Sequence, residues 1–206
     1  FMYFRNMKIA FHTLGCKLNF SETSFIANDL KNEEIEITNF SDKSDVYVIN
    51  TCSVTENANK ECRQLIKKVK KISPNSIITI MGCYAQLKPN ELKQIEGVNL
   101  VLGANEKFKL KEYLKKVTNK DSIINVKPIE KIKSFKQSFS EKQRTRTFLK
   151  IQDGCNYKCS FCTIPLARGK SRSDTIQNVK KQIKQLEKKG IQEIVLTGVN
   201  IGDFGI

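Results

Sequence analysis

Tryptophan is absent from this chain of 206 residues, histidine occurs once and proline four times. With His12 as its only histidine, the chain cannot build the multi-histidine sites that hold most catalytic zinc, and a lone strand histidine reads as structural. No apolar run approaches the ~18 residues of a membrane span. The opening stretch, FMYFRNMKIAFHTLG, lacks the unbroken apolar core and small-residue cleavage site of a secretory signal. Acidic residues are also short, 21 against 36 lysines and arginines, which leaves a formal net charge of +15. Phosphate-binding surfaces need such a surplus. Here it is mostly lysine in helix-like segments such as KKVKK (67–71) and KKQIKQLEKK (180–189), which equally describes solvated helix faces. At 39% hydrophobic and 28% charged residues, the composition is that of a soluble globular protein. A cytoplasmic location is expected, where thiols stay reduced, and an odd count of seven cysteines argues against a disulfide framework.

Short β-branched runs alternate with helical periodicity. Strands are expected at Lys8–Thr13, Ile35–Thr38, Val46–Asn50, Ile77–Met81 and Leu100–Leu102. Helices are expected at Ser21–Leu30 with Ser21 as its cap, Glu56–Ile72, Pro89–Glu96 and Glu106–Val117. Cys62 falls on the apolar stripe of the second helix and reads as core packing. This alternation predicts an α/β, doubly wound parallel-sheet domain over residues 7–118. Residues 119–146 are polar, basic and aperiodic, a linker with at most one edge strand. A second unit, residues 147–206, reads strand (Thr147–Gln152), cysteine-rich loop, helix (Asp174–Lys189) and strand (Glu193–Thr197). The first residue, Phe1, and the close in TGVNIGDFGI read as a fragment of a longer protein.

Cys16, Cys52 and Cys83 are 36 and 31 residues apart, a spacing no metal pattern flags. Each, however, follows the end of an expected strand, and open parallel sheets gather ligands outside the carboxyl ends of their strands. Two readings stand: three small buried hydrophobes, or three thiolates converging on one rim, with Gly15 and Gly82 allowing close backbone approach. Cys155, Cys159 and Cys162 form a C-x3-C-x2-C set with no local fourth ligand. Soft thiolates select zinc, copper(I) or iron–sulfur clusters. Zinc sites usually complete four protein ligands, whereas a four-iron cluster on three cysteines keeps one iron open for chemistry.

The C-x3-C-x2-C set, with Phe161 before its last cysteine, resembles the radical S-adenosylmethionine (SAM) superfamily. In that superfamily the open iron chelates SAM, and an electron cleaves it to a 5′-deoxyadenosyl radical. TLGCKLNFSET (13–23), NTCSVTENA (50–58), GCYAQ (82–86) and CNYKCSFCTIPLARGKSRS (155–173) together resemble the methylthiotransferases. The resemblance implies two [4Fe-4S] clusters, a radical SAM cluster on Cys155, Cys159 and Cys162 and an auxiliary one on Cys16, Cys52 and Cys83 that carries the sulfur to be transferred. It further implies a β/α barrel, of which this chain holds the first β/α unit and second strand, and a SAM pocket involving Phe161, Gly198 and Asn200. Arg168 and Arg172 are left between binding SAM or RNA and capping a solvent-facing loop. GCKLN (15–19) after the first strand looks most like the MtaB-type branch, which methylthiolates C2 of N6-threonylcarbamoyladenosine 37 in the tRNA anticodon loop; Lys17 is neither the glutamine nor the proline that the other branches carry there. The isopentenyladenosine-modifying branch is the alternative, as is a non-catalytic iron–sulfur or zinc RNA-binding module. A flavodoxin- or ferredoxin-like electron donor is implied as partner.

Overall fold

The structure is a computed structural model that describes residues 6–31, 34–53, 55–140 and 146–206. Six strands form one sheet: β1 (Met7–Thr13), β2 (Ile35–Thr38), β3 (Val46–Thr51), β4 (Ile77–Gly82), β5 (Val98–Leu102) and β6 (Ile123–Asn125). Their order is β2-β1-β3-β4-β5-β6, and every pairing is parallel. Alternate side chains point to opposite faces, so Val46 and Val48 enter one core while Tyr47 and Ile49 enter the other. The first face is covered by α1 (Lys17–Leu30) and α5 (Leu110–Leu114), the second by α2 (Glu56–Ile72), α3 (Cys83–Leu87) and α4 (Pro89–Lys93). Helix α2 begins where its sequence directs. Thr55 caps it by accepting from the Ala58 N–H at 3.3 Å, and Cys62, Ile66 and Val69 line its buried stripe. The chain moves from β1 outward to β2, then back past β1 to β3. The direction of winding therefore reverses between β1 and β3, where doubly wound sheets open a crevice at the strands' carboxyl ends.

A smaller sheet follows. In it β8 (Thr147–Lys150) pairs antiparallel with β7 (Ser138–Phe139) and parallel with β11 (Ile194–Thr197). Helix α7 (Ile176–Lys188) makes the crossover from β8 to β11, and Leu149, Ile151 and Val179 form a third small core. Between β8 and α7 lie β9 (Gln152–Asp153), the cysteine loop, α6 (Ile164–Arg168) and β10 (Arg172–Ser173), with β9 and β10 paired antiparallel. Among the described residues no helix is long and apolar enough to cross a membrane.

Several local expectations need correction. Helix α1 starts at Lys17 with Cys16 as N-cap, so Ser21 is no cap. It lies inside the helix, buried, with its hydroxyl against Leu18 O (2.9 Å) and Ser138 Oγ (3.0 Å). The reason is tertiary: α1 is packed on the large sheet by one side and on β7 and β8 by the other, so its polar residues face protein. Residues 119–146 contribute β6 to the large sheet and β7 to the small one; positions 141–145 of that stretch lie outside the described residues. The helix expected over Glu106–Val117 opens as a 3-10 turn, Glu106–Lys109, before α5.

Candidate metal centres and the buried charge between them

Cys16 caps α1, Cys52 directly follows β3, and Cys83 opens α3 directly after β4. All three stand at carboxyl ends of neighbouring strands beside the β1/β3 crevice. Cys16 is exposed, Cys52 half-buried and Cys83 buried. Gly15 has φ of +100°, and a Cβ there would lie 2.6 Å from Cys52 Cβ and 3.0 Å from its Sγ. The first cysteine loop thus runs directly against the second cysteine. Gly82, at φ +98°, would put a Cβ 2.5 Å from the Thr51 carbonyl oxygen, so both the backbone angle and the space require glycine. Asn19 then pins the two loops together, donating from its amide to Leu14 O (2.9 Å) and Thr51 O (3.0 Å). Asn50 donates in turn to Asn19 O (3.0 Å) and Thr23 Oγ1 (2.9 Å). These are the asparagines of GCKLN and NTC, and they clamp the segments that carry Cys16 and Cys52.

The second triad sits on the loop between β9 and α6. Its base is closed by the Cys155 N–H donating to Gly169 O (3.0 Å), and its tip by the Cys162 N–H donating to Cys159 O (3.0 Å). Gly154, at φ +76°, passes so close to Lys170 that a Cβ would fall 2.1 Å from its carbonyl oxygen. Gln152 organises the base. It donates to Gly154 O (2.7 Å) and Ser171 Oγ (2.9 Å), and its Oε1 accepts the Asn200 N–H (2.9 Å). A Cβ on Gly198 would come within 2.9 Å of that same oxygen. Gly198 and Asn200 therefore reach the cysteine loop through Gln152, while Phe161 stands 89% exposed.

Arg168 does not cap a solvent-facing loop. It is buried, donating through Nη1 to Asp153 Oδ1 (2.8 Å) and Glu22 Oε1 (3.2 Å), and through Nη2 to Asn19 Oδ1 (2.6 Å). Arg172 lies beside it and donates to the Arg168 and Lys170 carbonyls. Glu22, fully buried on α1, also pairs with Lys107 and with Lys150 Nζ (2.9 Å), and Lys150 reaches Asp153 (3.3 Å). The Lys150 ammonium lies over the Phe108 and Phe135 rings, 5.3 and 5.4 Å from their centroids, a favourable place for a desolvated cation.

Burial pushes the Glu22 and Asp153 carboxyls up, but the surrounding cations, Arg168 first, outweigh it. Glu22 ends well below the usual carboxylate range and Asp153 at about 2. Lys107 moves in the opposite sense to its partner's preference: burial lowers it, and Arg168 and Lys150 add to the lowering against the attraction of Glu22. The two partners disagree because their surroundings do. Glu22 meets three cations, whereas Lys107 shares one carboxylate with two other cations. Glu22, Lys107, Lys150 and Asp153 escaped the sequence reading. The available signal was a lysine inside the apolar run TFLKIQ and a glutamate inside α1.

Among the described residues no group of three His, Cys, Asp or Glu side chains encloses a single metal ion. A four-iron cube sets its thiolates farther apart than one ion does. Two sets of three thiols, with no histidine among them, match the donors iron–sulfur clusters take.

The family model described as Uncharacterized protein family UPF0004 matches residues 8–103, and that of the Radical SAM superfamily matches residues 149–204. Threonylcarbamoyladenosine tRNA methylthiotransferase MtaB of Aquifex aeolicus (strain VF5) is 39% identical over 203 residues, 97% of this chain and 49% of its own length. The enzyme of the same name from Bacillus subtilis (strain 168) is 42% identical over 202 residues, 96% of this chain and 44% of its own length. The chain spans about half the length of these curated relatives. The radical S-adenosylmethionine methyltransferase TsrM from Kitasatospora setae, solved with tryptophan and a SAM analogue, matches with a TM-score of 0.60 at 14% identity, covering 96% of this chain and 48% of that one. That likeness is one of fold. The two family models match in chain order, and MtaB-type methylthiotransferases align with nearly every residue, so this chain is similar to those enzymes along almost its whole length.

Proposed function

We propose that the chain carries the two cluster sites of a cytoplasmic tRNA methylthiotransferase acting at C2 of N6-threonylcarbamoyladenosine 37 in the anticodon loop. The observation that carries this reading is the gathering of Cys16, Cys52 and Cys83 at adjacent strand ends, joined through Asn19 and Arg168 to the C-x3-C-x2-C loop. Cys155, Cys159 and Cys162 would hold the cluster that binds SAM. Cys16, Cys52 and Cys83 would hold the auxiliary cluster. When bound, these groups supply the electron that cleaves SAM and the sulfur that becomes the methylthio group. The chain's own residues fix the loops. Asn19 and Asn50 hold the auxiliary cysteines in register, and Gln152 holds the SAM-site loop against the end of β11, where Gly198, Asn200 and the exposed Phe161 would face SAM. An anticodon-loop base is cheap to unstack, and lysine-rich helix faces suit its phosphates. A flavodoxin- or ferredoxin-like protein would deliver the electron.

The test uses the full-length protein, reconstituted anaerobically with iron and sulfide, then given dithionite, SAM and tRNA lacking the methylthio group. About two four-iron clusters per chain are expected. Replacing Cys155, Cys159 and Cys162 by alanine should leave one cluster and abolish 5′-deoxyadenosine formation. Cys52→Ala should keep SAM cleavage and lose methylthiolation. Normal methylthiolation by Cys52→Ala would refute the auxiliary site, and product found only on isopentenyladenosine would move the enzyme to that branch.

A further inference from the structure

The buried network between the two cysteine sites is not electrically balanced. Lys107, Lys150 and Arg168 are three cations, and Glu22 and Asp153 are two carboxylates. Arg172 adds a further cation at the edge, 3.8 Å from Asp153. Unpaired charge in a protein interior is strongly unfavourable, so the surplus calls for a counter-charge nearby. The strand-end thiols are neighbours able to supply it. Arg168 interacts electrostatically with Cys83 and Cys16, and Lys107 with Cys83, while helix α3, which begins at Cys83, packs against α6, which ends at Arg168. A doubly positive four-iron core on three thiolates is left with a single negative charge.

Arg168 also has two-sided geometry. On one side it holds Asp153, whose Oδ1 accepts the Gly154 N–H (2.9 Å) immediately before Cys155. On the other it holds Asn19, which clamps the backbone leading to Cys16 and Cys52. We propose that the surplus cation of this network is the counter-charge of the Cys16–Cys52–Cys83 site, and that Arg168 is the positioning residue that registers that site on the Cys155 loop. This inference rests on the cluster assignment above. It adds two functions for these buried residues: setting the potential of the auxiliary cluster, and coupling SAM cleavage to sulfur delivery.

The charge is read in full-length protein whose Cys155, Cys159 and Cys162 are alanine, so that a single cluster reports. Iron content and midpoint potential are measured by an EPR-monitored titration. Arg168→Gln and Lys107→Met should each keep the iron and shift the potential to more negative values, because less positive charge faces the reduced cluster. Arg168→Lys, which keeps the charge, should restore the potential. The registering role is read with all six cluster cysteines present. Arg168→Gln and Arg168→Lys should both lower methylthio product per 5′-deoxyadenosine about tenfold or more, because lysine cannot bridge Asp153 and Asn19 at once. If Arg168→Gln does not fold, Lys107→Met decides the charge and Arg168→Lys the register. A parent protein without a cluster would refute the site assignment itself. A parent with a cluster whose potential ignores both neutralising substitutions, or a product ratio that ignores Arg168→Lys, would overturn the inference and leave the assignment standing.

Discussion

Cys62 and Cys83 are both buried thiols, 0% and 5% exposed, yet their neighbours differ in kind. Cys62 faces the apolar core among Ile66, Val69 and Ile80, and burial pushes its thiol up to about 12. Cys83 is also pushed up by burial, but Arg168 and Lys107 pull against it. A buried thiol with cations beside it is equipped to become a thiolate, whereas one among methyl groups is not. Iodoacetamide should therefore leave Cys62 unmodified in the folded protein and label it only on unfolding, as peptide mass analysis would read. Cys62→Ala should leave iron content unchanged and lower stability by about 1 kcal/mol, the ordinary scale of a core truncation. Loss of a whole cluster in that variant would show that the strand-end triad had been assigned to the wrong cysteines.

Helix α1 shows how far an element can be read before its surroundings are known. The five longer strands of the large sheet, its parallel doubly wound class and the apolar stripe of α2 were legible because β-branched runs and three-and-four spacing are local signals. The strand-end cysteines followed from where those strands end. The start of α1 was not legible: SETS has the composition of a helix cap, and the small sheet lying across it explains why Ser21 and Glu22 are buried within the helix. The same holds for β6 and β7, three and two residues long, which exist through pairing with strands already in place. Glu22 is the buried carboxylate of α1. Glu22→Gln leaves three buried cations short of a carboxylate and should lower stability by about 3–5 kcal/mol in denaturant unfolding. Arg63→Ala, which removes a partly exposed ion pair to Glu56 and Glu91, should lower it by about 1 kcal/mol or less. The acid limb of stability follows in sign. Because Glu22 titrates lower when folded than unfolded, its contribution is full above the unfolded carboxylate value of about 4.3 and fades as pH falls below it toward the folded one. Glu22→Gln should flatten that limb, and an unchanged profile would place the acid sensitivity elsewhere.

Across the whole molecule, 36 basic residues serve two purposes. Many, such as those of α2 and α7, lie on helix surfaces, while Lys107, Lys150 and Arg168 are turned inward to meet α1. The contacts they make are among the longest in the chain: Lys150 lies 128 residues beyond Glu22, and Arg168 lies 146 beyond it. Synthesis runs from the amino end at ~5–20 residues per second, so Glu22 leaves the ribosome roughly 7–30 s before its arginine partner exists. For that interval α1 can settle on its own sheet with its other side turned to water, and Glu22 keeps that waiting surface wetted. A leucine at the same place would leave it adhesive during those seconds. Ribosome-stalled chains ending before β8 should stay dispersed, and the same chains carrying Glu22→Leu should sediment; equal behaviour would show that the carboxylate matters only after folding. The ion that is hardest to bury at the end is the one that keeps the nascent half soluble while it waits.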